Sequence, residues 1–297
     1  MKRFFVFWVE SYLYNPNIFQ KLLSYLLYPL SLIYCFVMWI RFKLGYPEDF
    51  DVEIISVGNL VVGGSGKTPF VTALAKDQKN VAVILRGYGR KSFGMVVVKD
   101  QEKILVDVIQ SGDEAMIYAK KLPNAIVIVS EDRKVAIKKA KEMGCEKIFL
   151  DDAYSKHDIK KLDILLDVNT SNRFCLPSGP YRERLWKGKY AMVLQEGKDF
   201  SRETTLVDAT KKMSLVTAIA RPQRLDPYLP EVVAKHYFED HHPFTKEELQ
   251  AILDRDGSES LLVTFKDYVK IEDFGLPLSL LDLELKLNSA KISGSKS

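Results

Sequence analysis

The chain of 297 residues is long enough for one large domain or two ordinary ones. Its 47% hydrophobic and 28% charged residues suit a buried core and exclude wholesale disorder, and its 16 Gly and 12 Pro, without a period, exclude collagen-like and low-complexity designs. The 43 basic against 39 acidic side chains leave a net charge of only +4, too small to argue for a nucleic-acid partner.

The first forty-five residues stand apart. Residues 22–40 form an uncharged run bracketed by Lys21 and by Arg41 and Lys43, rich in Leu, Tyr and Phe and ending near Trp39. A spanning helix needs about 20 apolar residues, so the run is of borderline length. Pro29, Ser24, Ser31 and its tyrosines mark it as wet and kinked. An aromatic cluster over 4–9 precedes it, after Lys2 and Arg3. No small-residue cleavage site follows, which argues against a signal peptide. The expectation is an element embedded in, or lying on, a membrane interface, with Tyr and Trp at headgroup depth and the following chain cytoplasmic. A pair of core helices is the plainer alternative.

After Pro47 the pattern is α/β. Strand candidates are 52–57, Val81–Leu85, Ala125–Val129, 147–150, 164–166 and 190–194, with helices from about Pro69, over 114–121 and over 133–143. Such alternation predicts a largely parallel sheet with flanking helices. Past the polar stretch 196–204 a smaller α/β set follows: strands 214–219 and 232–238, helix 246–255, strands 260–265 and 280–287. The Ser/Lys-rich tail 288–297 is expected to fray. Cys35, Cys145 and Cys175 lie far apart without zinc spacing and read as unpaired thiols in a reducing setting.

The strongest motif is Gly58-Asn59-Leu60-Val61-Val62-Gly63-Gly64-Ser65-Gly66-Lys67-Thr68, which follows a strand and opens a helix, as a phosphate-binding loop must. Backbone N–H groups of Gly63, Gly64, Ser65 and Gly66 would curl around phosphate oxygens at the helix N-terminus. Lys67 would reach the β- and γ-phosphates and Thr68 would hold Mg²⁺, so ATP is the expected ligand. Val61 stands where the usual pattern has Gly. Farther on, the apolar strand Ile148-Phe149-Leu150 ends in Asp151-Asp152, carboxylates suited to Mg²⁺ at the C-terminal edge of a parallel sheet.

Several phrases together resemble the tetraacyldisaccharide 4'-kinase family of the lipid A pathway. They are Ile55-Ser56-Val57-Gly58-Asn59-Leu60 through Lys67-Thr68-Pro69, Arg86-Gly87-Tyr88-Gly89-Arg90-Lys91-Ser92, Gly112-Asp113-Glu114 and Ser130-Glu131-Asp132-Arg133. Leu150-Asp151-Asp152 and Leu176-Pro177-Ser178-Gly179-Pro180-Tyr181-Arg182-Glu183 follow in the same order. Ala220-Arg221-Pro222-Gln223-Arg224, Asp240-His241-His242-Pro243-Phe244 and Thr264-Phe265-Lys266-Asp267 complete the set. Val61 is itself typical of this family. One phrase departs: Ala153-Tyr154-Ser155-Lys156-His157 replaces the family's Gly-Phe-Gln-His-Arg, and His157 is no substitute for the His of that phrase.

The resemblance implies a P-loop kinase core over 46–200, an N-terminal membrane-associated helical segment over 1–45, and an α/β lobe over 201–297 that closes the cleft. It implies transfer of the γ-phosphoryl of ATP, with Mg²⁺, to the 4'-hydroxyl of an acylated glucosamine disaccharide 1-phosphate, giving lipid IVA. The setting would be the cytoplasmic face of the bacterial inner membrane, with no obligate protein partner. Arg86, Arg90 and Arg182 are candidates for the substrate's 1-phosphate, because Arg offers a bidentate fork. A sugar hydroxyl is a poor nucleophile at neutral pH and calls for a base. Asp113 and His241 fall in the phrases that supply the family's Asp–His catalytic pair, beside Lys67. A membrane-associated regulatory ATPase is the alternative. The Lys that opens the phosphate loop in such proteins is Val62 here, which counts against it.

Overall fold

The computed structural model describes residues 2–64 and 66–288. The nucleotide-binding expectation for Ser65 and that for the tail beyond Asn288 therefore lie outside the described residues. In chain order come helices α1 (Lys2–Tyr14) and α2 (Ile18–Lys43), strand β1 (Glu53–Gly58), helix α3 (Lys67–Ala75) and strands β2 (Val81–Leu85) and β3 (Val96–Lys99). Then follow α4 (Val108–Ser111), α5 (Asp113–Lys121), β4 (Ala125–Val129), α6 (Arg133–Glu142), β5 (Lys147–Asp151), β6 (Leu162–Leu166) and β7 (Met192–Leu194). The last elements are β8 (Phe200–Val207), β9 (Met213–Thr217), β10 (Ala234–Tyr237), α7 (Lys246–Asp256), β11 (Ser260–Thr264), α8 (Phe265–Ile271) and β12 (Leu278–Leu287).

Contacts group the chain into two units, Met1–Lys67 with Leu150–Lys198 and Thr68–Phe149 with Asp199–Ser297. This grouping cuts across the chain-order parts drawn at 45 and 200. Parallel strands need long crossover connections, so neighbours in one unit come from distant stretches of chain.

In the first unit β1 pairs parallel with β6, and β6 with β7. Helix α2 starts on a capping box: the Asn17 side chain accepts from the Gln20 N–H at 2.9 Å and the Gln20 side chain accepts from the Asn17 N–H at 3.0 Å. The helix is long and apolar enough to cross a membrane. Its amphipathicity is inverted. Gln20, Ser24 and Ser31 are its buried residues, whereas Phe19, Leu22, Leu26, Leu30, Ile33 and Phe36 are exposed. The polar stripe is spent on backbone: Ser24 Oγ donates to the Ser178 carbonyl at 2.6 Å and Ser31 Oγ to the Cys175 carbonyl at 2.8 Å. The Ser178 N–H donates to Ser31 Oγ at 3.0 Å, and the hydroxyls of Tyr34 and Tyr12 donate to the carbonyls of Arg182 and Pro177. Residues that look like flaws in a membrane span are therefore its docking seam on the protein. The same seam corrects the thiol expectation: Cys35 and Cys175, 140 residues apart, are joined as a disulfide, and Cys145 alone is a free, buried thiol.

In the second unit β2 runs parallel to β4 with all their residues buried, and β3 is antiparallel to β4. A five-stranded sheet has the order β10-β9-β11-β12-β8, parallel except for the β12–β8 pair. Its strands β9 and β11 are buried on both faces: Val216, Leu261 and Val263 face α7, whereas Met213, Leu215 and Leu262 pack on the other side with Leu225 and Leu281. Both read as continuous apolar runs for that reason. Helix α7 is capped by Thr245, whose hydroxyl accepts from the Glu248 N–H at 3.2 Å, and ends at Gly257 with φ +59°. The polar stretch 196–204 that joins the two sets in sequence is not all linker, because its residues 200–204 belong to β8. Its sequence, largely polar and exposed, carries no apolar alternation, and the strand exists through eight register pairs with β12 from Phe200↔Leu287 to Val207↔Leu280.

Candidate active site

The phosphate loop leaves β1 at Gly58 and is stitched down on one side. The N–H groups of Arg182 and Glu183 donate to the Leu60 carbonyl at 2.9 and 3.1 Å, and the Val62 N–H donates to the Pro180 carbonyl at 2.9 Å. Val61, the residue in place of the usual Gly, is buried and bridges Tyr181. The departure thus serves as wall rather than as phosphate cradle. Gly66 has φ +81°, a conformation that L side chains rarely adopt, immediately before Lys67 opens α3. Pro69 sits in the first turn, where helical amides lack intrahelical partners.

Lys67 Nζ lies 3.3 Å from Asn59 Oδ1 and 3.6 Å from Asp152 Oδ1. Arg182 Nη2 donates to Asn59 Oδ1 at 3.1 Å and also to Asp152 Oδ1. The Asp152 N–H donates to the Val57 carbonyl at 2.9 Å, which anchors this carboxylate beside the end of β1. Asp152 adopts φ +52°, rare for a residue with a side chain and the kind of strain that collects at functional sites. Burial opposes its ionisation, but Lys67 and Arg182 outweigh burial and hold the carboxyl below the usual range. Asp151, one residue earlier, is buried. Among the described residues no group of three or more His, Cys, Asp or Glu would hold a metal alone. Asp151 and Asp152 offer hard oxygen donors, the ligand type that Mg²⁺ shared with substrate phosphates takes.

The second unit holds the candidate acid–base pair. His241 Nδ1 lies 3.0 Å from Asp113 Oδ2 although 128 residues separate them. Asp113 opens α5 behind Gly112, which has φ +83° and packs so that an added Cβ would meet the Tyr88 carbonyl at 3.0 Å. His241 has φ +62°, and its N–H donates to the Ala218 carbonyl at 3.3 Å. Lys266 Nζ stands 3.3 Å from His241 Nε2 and 2.8 Å from Asp240 Oδ1. Burial would raise the Asp113 pKa, but the His241 hydrogen bond and the charges of Lys270 and Lys266 overcome it, so the carboxyl is held below its ordinary value. Fully buried Asp267 braces this end of the sheet, accepting from Thr217 Oγ1 at 2.7 Å, Thr264 Oγ1 at 2.8 Å and the Ala218 N–H at 3.1 Å.

The three candidate arginines part company. Arg86 is exposed just past β2. The guanidinium of Arg90 is only 2% exposed and is committed to Glu131, Ser92 Oγ and the Gly94 carbonyl. Arg182 belongs to the Lys67–Asp152–Asn59 cluster. His157, in the phrase that departs from the family, is packed between Phe42 and Tyr154, with Lys189 Nζ 2.8 Å from Nδ1. Burial and the charges of Lys189, Lys161 and Arg41 push its pKa down to about 3, so it is a neutral core imidazole. Sequence reasoning assigned no role to Asn59, Lys266, Lys270 or Asp267. Each sits in or beside a quoted phrase, but nothing local shows which way its side chain turns.

The tetraacyldisaccharide-1-P 4'-kinase family model matches residues 23–211 and 189–293. The chain belongs to this family. A tetraacyldisaccharide 4'-kinase of Aliarcobacter butzleri is 47% identical over 298 residues, covering 97% of this chain and 95% of its own. One from Helicobacter pylori strain J99 is 47% identical over 283 residues, covering 94% and 90%. Among solved structures, a crystal structure of LpxK from Aquifex aeolicus in complex with ATP aligns with a TM-score of 0.70 at 26% identity, covering 90% of this chain and 96% of that one. The likeness to a kinase of this family extends through both units, so the α/β fold with its phosphate loop is the family's fold.

Proposed function

We propose that this chain is an ATP-dependent kinase that transfers a γ-phosphoryl group to the 4'-hydroxyl of a tetraacyldisaccharide 1-phosphate, forming lipid IVA in lipid A biosynthesis. The observation that carries the reading is the family match, which runs from residue 23 to 293 and includes both the phosphate loop and the Asp113–His241 pair. Gly63, Gly64, Ser65, Gly66 and Lys67 cradle the nucleotide's phosphates, and Lys67 supplies the fixed cation that meets the charge developing on the γ-phosphoryl. Thr68, Asp151 and Asp152 are the residues that would hold Mg²⁺, which would offset the charge of the phosphates when bound. Arg182 keeps Asp152 ionised and aimed.

Asp113 accepts the proton of the 4'-hydroxyl. Lys266 and Lys270 keep it ionised at neutral pH, and His241 orients or assists it through the Nδ1 contact. The 201–297 lobe contributes His241 to the reaction in this reading. Exposed Arg86 is the proposed contact for the acceptor's 1-phosphate and Arg182 for its headgroup, whereas Arg90 shapes the loop between them in sequence. The apolar face of α2 anchors the chain on the cytoplasmic face of the inner membrane, where its acylated acceptor resides. Incubation of the purified protein with labelled ATP, Mg²⁺ and tetraacyldisaccharide 1-phosphate in detergent should yield a bisphosphorylated lipid. ATP consumption that does not depend on the acceptor would instead favour a regulatory ATPase.

A further inference from the structure

A cavity of about 180 Å³ lies wholly in the first unit, reaching from Tyr34, Met38 and Arg41 of α2 to Asn59, Arg182 and Glu183 beside the phosphate loop. Three polar atoms of its wall are buried with no hydrogen-bond partner: Asn59 Nδ2, Arg182 Nε and Glu183 Oε2. Buried polar groups are seldom left so, because each unmade hydrogen bond costs the desolvation of that group. The residues that carry these two donors and one acceptor all line this one cavity. The Glu183 side chain is 93% buried, and the neutral imidazole of His157 stands 3.9 Å from Oε2, beyond hydrogen-bond reach.

The wall chemistry narrows the guest. Asp152 and Glu183 stand against Arg41 and Arg182 in the lining, so the wall's charged groups balance and leave no net charge for a charged guest to answer. A group with neutral donors and acceptors suits such a wall. Hydroxyls answer all three atoms, accepting from Asn59 and Arg182 and donating to Glu183. One rim of the cavity is α2, whose other face is exposed and apolar, which suits a guest that carries acyl chains.

Resting on the kinase reading, we propose that this cavity is the subsite for the uncharged hydroxyl-bearing sugar of the acylated acceptor, with Glu183 and Asn59 as its specificity-determining residues. A site built to hydrogen-bond a hydroxyl loses much of its affinity when its own partner is removed.

The test measures equilibrium binding of labelled tetraacyldisaccharide 1-phosphate to the full chain in detergent micelles without ATP, alongside product formation by the unaltered protein. Glu183→Met removes the acceptor at similar volume, and Met38→Trp fills the cavity from α2 without touching Glu183. Each should weaken lipid binding at least about tenfold while its melting temperature shows that the chain is folded. Wild-type affinity in either folded variant overturns the inference, as does failure of the unaltered protein to bind the lipid. Binding with these losses but without any phosphorylated product overturns the kinase reading and leaves the subsite standing.

Discussion

At the scale of single residues, the site rests on carboxylates kept ionised by cations that outweigh their burial. Lys67 holds the Asp152 carboxyl down, and in the proposed reading it also meets the phosphate charge, so Lys67→Ala should lower kcat by about 10³-fold or more. A turnover equal to the parent's would remove the phosphate-loop assignment. Asp113→Ala and His241→Ala should each lower kcat by about 10²-fold, with smaller changes in the KM for ATP. Because the two touch at 3.0 Å, the double variant should lose far less than the product of the single losses, and strictly multiplicative losses would break the pairing. The pH dependence follows from sign. The Asp113 pKa is lowered in the folded chain, so its stabilising, ionised form is complete above the unfolded carboxylate value and is lost as pH falls through the folded one. Lys266→Met removes a cation that favours the carboxylate, so the Asp113 pKa should rise. The acid limb of kcat/KM against pH should then move to higher pH. A shift downward, or none, would mean that Lys266 does not act on Asp113.

At the scale of elements, α2 and the 176–183 segment form one clip. The segment takes donors from α2 on one side, through Ser24, Ser31 and Tyr34, and gives N–H groups to Leu60 of the phosphate loop on the other. A helix with an exposed apolar face is thereby tied to the phosphate loop through the backbone of this segment. Ser31→Leu makes α2 more apolar yet strands the Ser178 N–H, at a cost of about 1–3 kcal/mol, while the Cys175 carbonyl keeps the Gly179 N–H. The melting temperature in detergent should drop by several degrees. Leu26→Gln, on the exposed face, should leave the melting temperature alone and weaken retention on phospholipid vesicles. Equal effects of the two substitutions on both readouts would refute the inverted amphipathicity of this helix.

At the scale of the whole molecule, the chain enters each of its two units twice, so removing a terminus is never a clean excision. Deleting residues 1–43 should move the protein toward the soluble fraction, but it also takes the Tyr12 and Tyr34 hydroxyls from the carbonyls of Pro177 and Arg182 and one of two donors from those of Cys175 and Ser178. Amide hydrogen exchange over 174–183 should accelerate in the truncated chain. Unchanged protection there would mean that α2 is a dispensable anchor. The sequence by itself determined the strand–glycine loop–helix of 53–75, the paired carboxylates at the end of β5, and the buried strands and capped helix of the second sheet. Those features are written in local period and turn chemistry, which act within a few residues. Tertiary structure alone decided which polar residues meet. The contact of Asp113 with His241, the bond of Cys35 to Cys175, the inward turn of Ser24 and Ser31, and the strand character of β8 each depend on a partner far along the chain. A long-range contact leaves no periodic trace in the sequence on either side of it, because it is set by how the elements pack and not by the propensity of any one of them.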